Sequence, residues 1–199
     1  MTNDDYKKID QYMQKCMDEK DIAHDFHHIY RVLENAKSLI GDYDVDEDVL
    51  TAACLLHDIA RPIEFKDKDV DHALLGSEMA YDFLLTIGWP HQKADLVRKC
   101  IACHRGGCKR IDMSLEARLL FDGDKLDLIG PIGLARIIVF ASHHGMRLQL
   151  EGQTLLKELD LDVEVFLNKF YTKEAKEEAL PKLLISKTYF DDLKKALAK

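Results

Sequence analysis

Residues 71–87, DHALLGSEMAYDFLLTI, decide the fold class of this chain. Leu74, Leu75, Met79, Phe83 and Leu84 recur at steps of three and four, the spacing that gathers apolar side chains on one helical face. The same period runs through nearly the whole sequence. It predicts helices over 4–18, 24–40, 46–60, 71–87, 90–104, 114–127, 130–146, 155–169 and 173–197. Gly41, Gly88, Gly106-Gly107 and Gly152 stand where such helices would end, and Pro62 and Pro90 where they would start or stop. RIIVFAS (136–142) is rich in β-branched residues, but its surroundings favour a buried helix. No stretch alternates with period two between hairpin turns, and no unit repeats. The expected fold is all-α. Pro181 is expected to interrupt the charged amphipathic tail, which would cap the bundle.

The 199-residue chain carries 36 acidic against 28 basic residues, a net charge of -8. A large acidic excess opposes broad binding to a phosphate backbone, so no nucleic-acid partner is expected. No window of eighteen apolar residues is present, so no membrane span is expected. The polar opening MTNDDYKKID lacks the apolar segment of an export signal, and a cytoplasmic location is the expectation.

The five cysteines are Cys16, Cys54, Cys100, Cys103 and Cys108. In that compartment they are expected to be reduced thiols. CIACH (100–104) matches a c-type haem attachment pattern, and Cys100, Cys103, His104 and Cys108 have donor types that suit zinc. The preferred reading is a helix end whose cysteines pack inward.

Nine histidines and their acidic neighbours carry more information. His24, Asp25, His27 and His28 open one helix, with His24 and His28 on a common face. His57 and Asp58 end the apolar run LLHD. His72 and His104 stand near helix termini, and FDGDKLD crowds Asp122, Asp124 and Asp127 into six positions. Taken one by one, these are helix-end surface groups. Taken together, buried carboxylates require a counter-charge, and imidazole with carboxylate suits Mn, Mg, Fe, Co, Ni or Zn. HDFHH also has a superficial likeness to the metalloprotease pattern HExxH, a reading that needs a substrate-binding edge strand.

HDFHHIYRV (24–32), LLHDIA (55–60), DHALLGSEMA (71–80), IACH (101–104) and LLFDGDKLDLIGPIGLAR (119–136) follow one another in an order that resembles the HD-domain metal-dependent phosphohydrolases. The form is that of a small bacterial branch with HDxxHxxRV, LLHDI and DxDxLDxIGxxGxAR motifs. The resemblance covers about residues 20–146. It implies a single-domain helical bundle of the HD type over 1–150, with a helical extension over 151–199 packed on it. It also implies a metal shell of His28, His57, Asp58 and Asp122, with Asp25 and Arg31 as supporting groups behind it. Asp58, His72 and His104 would take part in catalysis, His72 and His104 either as ligands of a second ion or as groups facing substrate. Lys125, Arg61 and Lys66 are the candidate phosphate contacts. Arg61 occupies the position where HDxxE relatives carry a carboxylate, which argues against alarmone hydrolysis.

The implied reaction is hydrolysis of a small phosphorylated substrate, in the sharpest form a (deoxy)nucleoside triphosphate split to monophosphate and pyrophosphate. A nucleotidase or other phosphoesterase on the same site, or a metal- or nucleotide-binding sensor without turnover, are the alternatives. The number of ions, the presence of a homodimer and the roles of His24, His143 and His144 stay open at the level of sequence.

Overall fold

A computed structural model describes residues 1–17, 25–106, 108–109, 112–143, 145–146 and 162–198, with the side chain of His143 left aside. Ten helices and no strand occur among them, which makes the fold all-α. They are α1 (Asn3–Cys16), α2 (Phe26–Ser38), α3 (Glu47–Leu56), α4 (Arg61–Lys66), α5 (His72–Thr86), α6 (His91–Cys103), α7 (Leu115–Leu126), α8 (Gly130–His143), α9 (Val163–Leu167) and α10 (Lys173–Leu197). The chain forms two compact units, Met1–Asp124 and Lys125–Lys199. The expected boundary at 150/151, His24, His144 and the start of the 155–169 helix lie outside the described residues.

In the first unit α3 is the central element, packed by α1, α2, α5 and α6. Its residues Val49–Leu56 are all buried, as an apolar run without a polar face requires. Asp46 caps it, accepting from the amides of Asp48 and Val49. The helix expected over 46–60 stops at Leu56, and a short helix, α4, begins at Arg61 with Pro62 in its first turn. Proline there gives up an amide that would have had no helical acceptor.

Helix α5 has the expected extent but a different buried face. His72, Ala73, Gly76, Ser77, Ala80 and Leu84 face inward, whereas Leu74 is 59% exposed. Small residues win the inward face because neighbouring elements approach closely. A Cβ on Gly76 would lie 3.5 Å from the Ala60 Cβ.

Gly123 marks the tightest approach in this unit. A Cβ there would fall 2.9 Å from Val32 O and Ala36 N of α2. Asn35 Nδ2 donates to Gly123 O at 3.1 Å across the same seam. Gly123→Ala must therefore push two backbones apart, with an overpacking cost of about 1–3 kcal/mol. A thermal melt is expected to show a Tm several degrees lower, and an unchanged Tm would refute this account of the seam.

The second unit is built from α8, α9 and α10. Ala141 and Phe190 pack with Leu134, Ile137 and Leu193, and Phe170 is fully buried. The IGPIGLAR stretch is structural here. Gly130, at φ +70°, donates its amide to Ser186 Oγ, and a Cβ on Gly133 would overlap the Leu128 carbonyl. Arg136 Nη1 lies 2.8 Å from Asp127 Oδ2, an ion pair with both residues buried. Pro181 does not split the tail, because α10 runs through it for 25 residues. The amide it lacks would have bonded Glu177 O, on an exposed residue whose carbonyl water can serve.

The cysteines depart from expectation. Cys103 and Cys108 form a disulfide across the turn after α6, where Gly106 takes φ +87°. Cys16, Cys54 and Cys100 are free, the last two buried. Burial pushes the Cys100 thiol up to about 12 and raises that of Cys54 as well. Thiol titration of the denatured, unreduced chain should count three groups, rising to five on reduction. A count of five before reduction would remove the disulfide.

Candidate metal centre

Four helix ends deliver four imidazoles to one carboxylate. α2 begins at Asp25, whose side chain accepts from the His28 amide at 3.0 Å, so the cap sets the turn that carries His28. α3 ends at His57, with Asp58 next in the chain. α5 begins with His72 after the cap Asp71, and His104 caps the C-terminal end of α6. All four histidines and Asp58 are buried.

The two oxygens of Asp58 divide the histidines between them. Oδ1 lies 3.1 Å from His72 Nε2 and 3.5 Å from His104 Nε2. Oδ2 lies 3.7 Å from His57 Nε2 and 3.9 Å from His28 Nε2. Potential ligand atoms thus form two groups, His28–His57–Asp58 and Asp58–His72–His104, each with its atoms within 4.8 Å of one another.

The opposite ring nitrogens explain why Nε2 points inward. His57 Nδ1 donates to Cys54 O at 2.8 Å, and His104 Nδ1 donates to Ile101 O at 2.7 Å. Each acceptor is a carbonyl three residues back in the same helix, which can only accept, so the hydrogen sits on Nδ1. His72 Nδ1 lies 2.8 Å from Glu64 Oε2. Each of these rings is left with Nε2 turned toward Asp58, the second-sphere arrangement typical of metal-ligating histidines.

Charge is tightly controlled at this point. Burial alone would raise the Asp58 carboxyl, but His57, hydrogen bonds with His104 and His72, and Arg61 hold it well below the usual range. Burial pushes His57 down, and His104 pushes the same way. An ionised carboxylate therefore sits beside a His57 imidazole that resists protonation.

Two observations show that this donor set fits a cation. His57 Nε2 is buried without a hydrogen-bond partner among the described residues. His72 Nε2 and His104 Nε2 face each other at 3.3 Å while both Nδ1 atoms are already engaged. Arg61 Nη1 supplies positive charge 3.2 Å from His72 Nε2, whereas the unpartnered His57 Nε2 beside the ionised Asp58 is open to a cation. Nitrogen and carboxylate oxygen without thiolate suit a divalent ion such as Mn, Mg, Fe, Co, Ni or Zn.

The cysteine-based zinc and haem readings of CIACH do not survive. Cys103 is bonded to Cys108, Cys100 is buried beside Ser114 Oγ at 3.7 Å, and His104 turns to Asp58. The metalloprotease reading lacks its strand among the described residues.

The other sequence candidates fall as follows. Asp122 is fully buried, and Asp124 Oδ1 lies 3.5 Å from His28 Nε2; neither is in the two ligand groups. Arg61 Nη1 lies 3.2 Å from His72 Nε2, 3.3 Å from His72 Nδ1 and 3.5 Å from Glu64 Oε2. Lys66 is exposed at the end of α4. Arg31 is half-buried, three residues beyond His28 on α2. Lys125 is half-buried and opens the second unit. Sequence reasoning overlooked Glu64 and Arg105, which lie outside every motif. It noted Asp124 without selecting it.

The HD-domain model matches residues 25–129, more than half of the chain. The chain belongs to the HD-domain family. Among curated proteins it is similar to YpgQ of Bacillus subtilis, an uncharacterized protein, with 29% identity over 152 residues, 74% of this chain and 72% of YpgQ. The crystal structure of YpgQ in complex with ADP is similar with a TM-score of 0.76 and 25% identity, covering 97% of this chain and 95% of that one. A predicted HD superfamily hydrolase from an uncultured Thermotogales bacterium is similar with a TM-score of 0.67 and 27% identity, over 96% and 91% of the two chains.

Proposed function

We propose that the protein is a metal-dependent phosphohydrolase whose substrate is a nucleotide, in the sharpest form a (deoxy)nucleoside triphosphate cleaved to monophosphate and pyrophosphate. The observation that carries this reading is the convergence of four histidine Nε2 atoms on the two oxygens of one buried Asp58. ADP bound to the similar YpgQ supports the nucleotide.

His28, His57 and Asp58 would hold a divalent ion with an aspartate of α7, Asp124, whose Oδ1 lies 3.5 Å from His28 Nε2, or the fully buried Asp122. A divalent ion in such a shell makes bound water acidic enough to be a nucleophile near neutral pH and neutralises phosphate oxygens. Asp58, held ionised, would both hold the ion and orient a water for attack. His72 and His104, on the Oδ1 side, would meet a second ion or the charge on the leaving phosphate. Asp25 keeps His28 in register by capping its turn, and Arg31 would support the same helix face. Arg61, within 3.2 Å of His72 Nε2 and 3.5 Å of Glu64 Oε2, would steady His72 or meet phosphate, and Lys66 and Lys125 are the other proposed phosphate contacts.

The test is product analysis. Protein stripped of metal would be reloaded with Mn, Mg, Fe, Co, Ni or Zn and incubated with ribo- and deoxynucleoside mono-, di- and triphosphates. Pyrophosphate with monophosphate is the expected pair. Phosphate released from monophosphates would instead make the protein a nucleotidase. Tight nucleotide binding without product under any metal would overturn hydrolysis in favour of a sensor.

A further inference from the structure

Glu64 joins three parts of the first unit that the sequence gives no reason to connect. Its Oε2 lies 2.8 Å from His72 Nδ1, at the start of α5, and its Oε1 accepts from Arg105 Nη1 at 3.0 Å. Arg105 directly follows His104, in the turn closed by the Cys103–Cys108 disulfide. We infer that Glu64 is a positioning residue for His72 and that Arg105 holds it there, so that one clamp between α4, α5 and the end of α6 aims His72 Nε2 at Asp58. The inference rests on the proposed reading of Asp58, His72 and His104 as the working site.

An imidazole can carry its hydrogen on either nitrogen and can turn over about its χ2 bond. His57 and His104 are fixed against both by carbonyls of their own helices, Cys54 O and Ile101 O. His72 is the first residue of α5 and has no preceding helical turn to supply such a carbonyl. Its ring is anchored instead by a side chain eight positions away. An ionised carboxylate accepts only, so Glu64 keeps a hydrogen on Nδ1 and fixes the ring with Nε2 facing Asp58 Oδ1 at 3.1 Å, while Arg61 Nη1 lies 3.3 and 3.2 Å from the two ring nitrogens. The Glu64 side chain has several rotatable bonds, so a second hold fixes it; the Arg105 guanidinium provides it on the other oxygen.

This asymmetry among the histidines supplies the test. Histidine-selective ¹⁵N labelling and long-range ¹H–¹⁵N spectra of the metal-free protein report which nitrogen carries the hydrogen in each ring. In wild type, His57, His72 and His104 should all show the Nδ1–H pattern. Glu64→Ala should remove it from His72 alone, while Glu64→Gln, which keeps an acceptor oxygen, should retain it. With metal restored, kcat for Glu64→Ala should fall about 10–100-fold with KM changed far less, and Glu64→Gln should recover part of the loss. Arg105→Ala, at a residue whose side chain is 47% exposed, should give a mixed His72 pattern and serves if Glu64→Ala does not fold. An unaltered His72 in Glu64→Ala, or in Arg105→Ala should that variant alone fold, would overturn the inference. So would equal loss in Glu64→Ala and Glu64→Gln. Wild-type protein inactive on every nucleotide would sink the functional reading and leave the spectra to decide this one.

Discussion

Asp58→Ala is expected to abolish stoichiometric binding of a divalent ion and to lower nucleotide hydrolysis by at least about 10³-fold, the scale on which loss of a central charge-stabilising group acts. The reason is geometric. Asp58 is shared by both groups of candidate ligands, and each of its oxygens faces two Nε2 atoms. Its removal leaves four buried imidazoles without the negative charge that makes the pocket attractive to a cation. Asp58→Asn keeps the volume but loses the charge, and should fail in the same way. Metal content by mass spectrometry and helical circular dichroism would be read together. A folded variant that still binds one ion per chain would refute the central role of Asp58.

Asp124→Ala should lose metal and at least about 10²-fold of activity, whereas Asp122→Asn should keep its metal. Asp124 Oδ1 is 3.5 Å from His28 Nε2, on the side of α7 that faces the histidines. Residues two apart on a helix project to nearly opposite sides, so α7 can offer only one of the two to a given ion. The reverse outcome, metal lost from Asp122→Asn and retained by Asp124→Ala, would restore the sequence-based choice.

The helical class was legible because a three- and four-residue period repeats in almost every segment, and nine expected helices find counterparts among the ten described. α4 was not, since six residues are too few for a period to show. The face of α5 was misjudged because periodicity rewards large apolar residues, whereas the close approach at Gly76 and Ala60 selects small ones. The disulfide was missed for a related reason. Location argued for thiols, but the turn after α6 brings Cys103 and Cys108 to a Cα separation of 5.2 Å.

By itself, then, the sequence determined an all-α chain, its HD-type motifs, and the histidines and aspartates worth watching. These follow from local period and residue chemistry, which act over a few positions. Only the tertiary structure decided that four Nε2 atoms meet on Asp58, that Asp124 approaches His28, and that Glu64 bridges His72 and Arg105. Most of those facts depend on contacts between residues distant in sequence, such as His72 with His104, 32 positions apart, and His28 with Asp124, 96 apart. Distances of that kind are set by how closely helices pack, as at Gly123 against α2, and no local pattern encodes them.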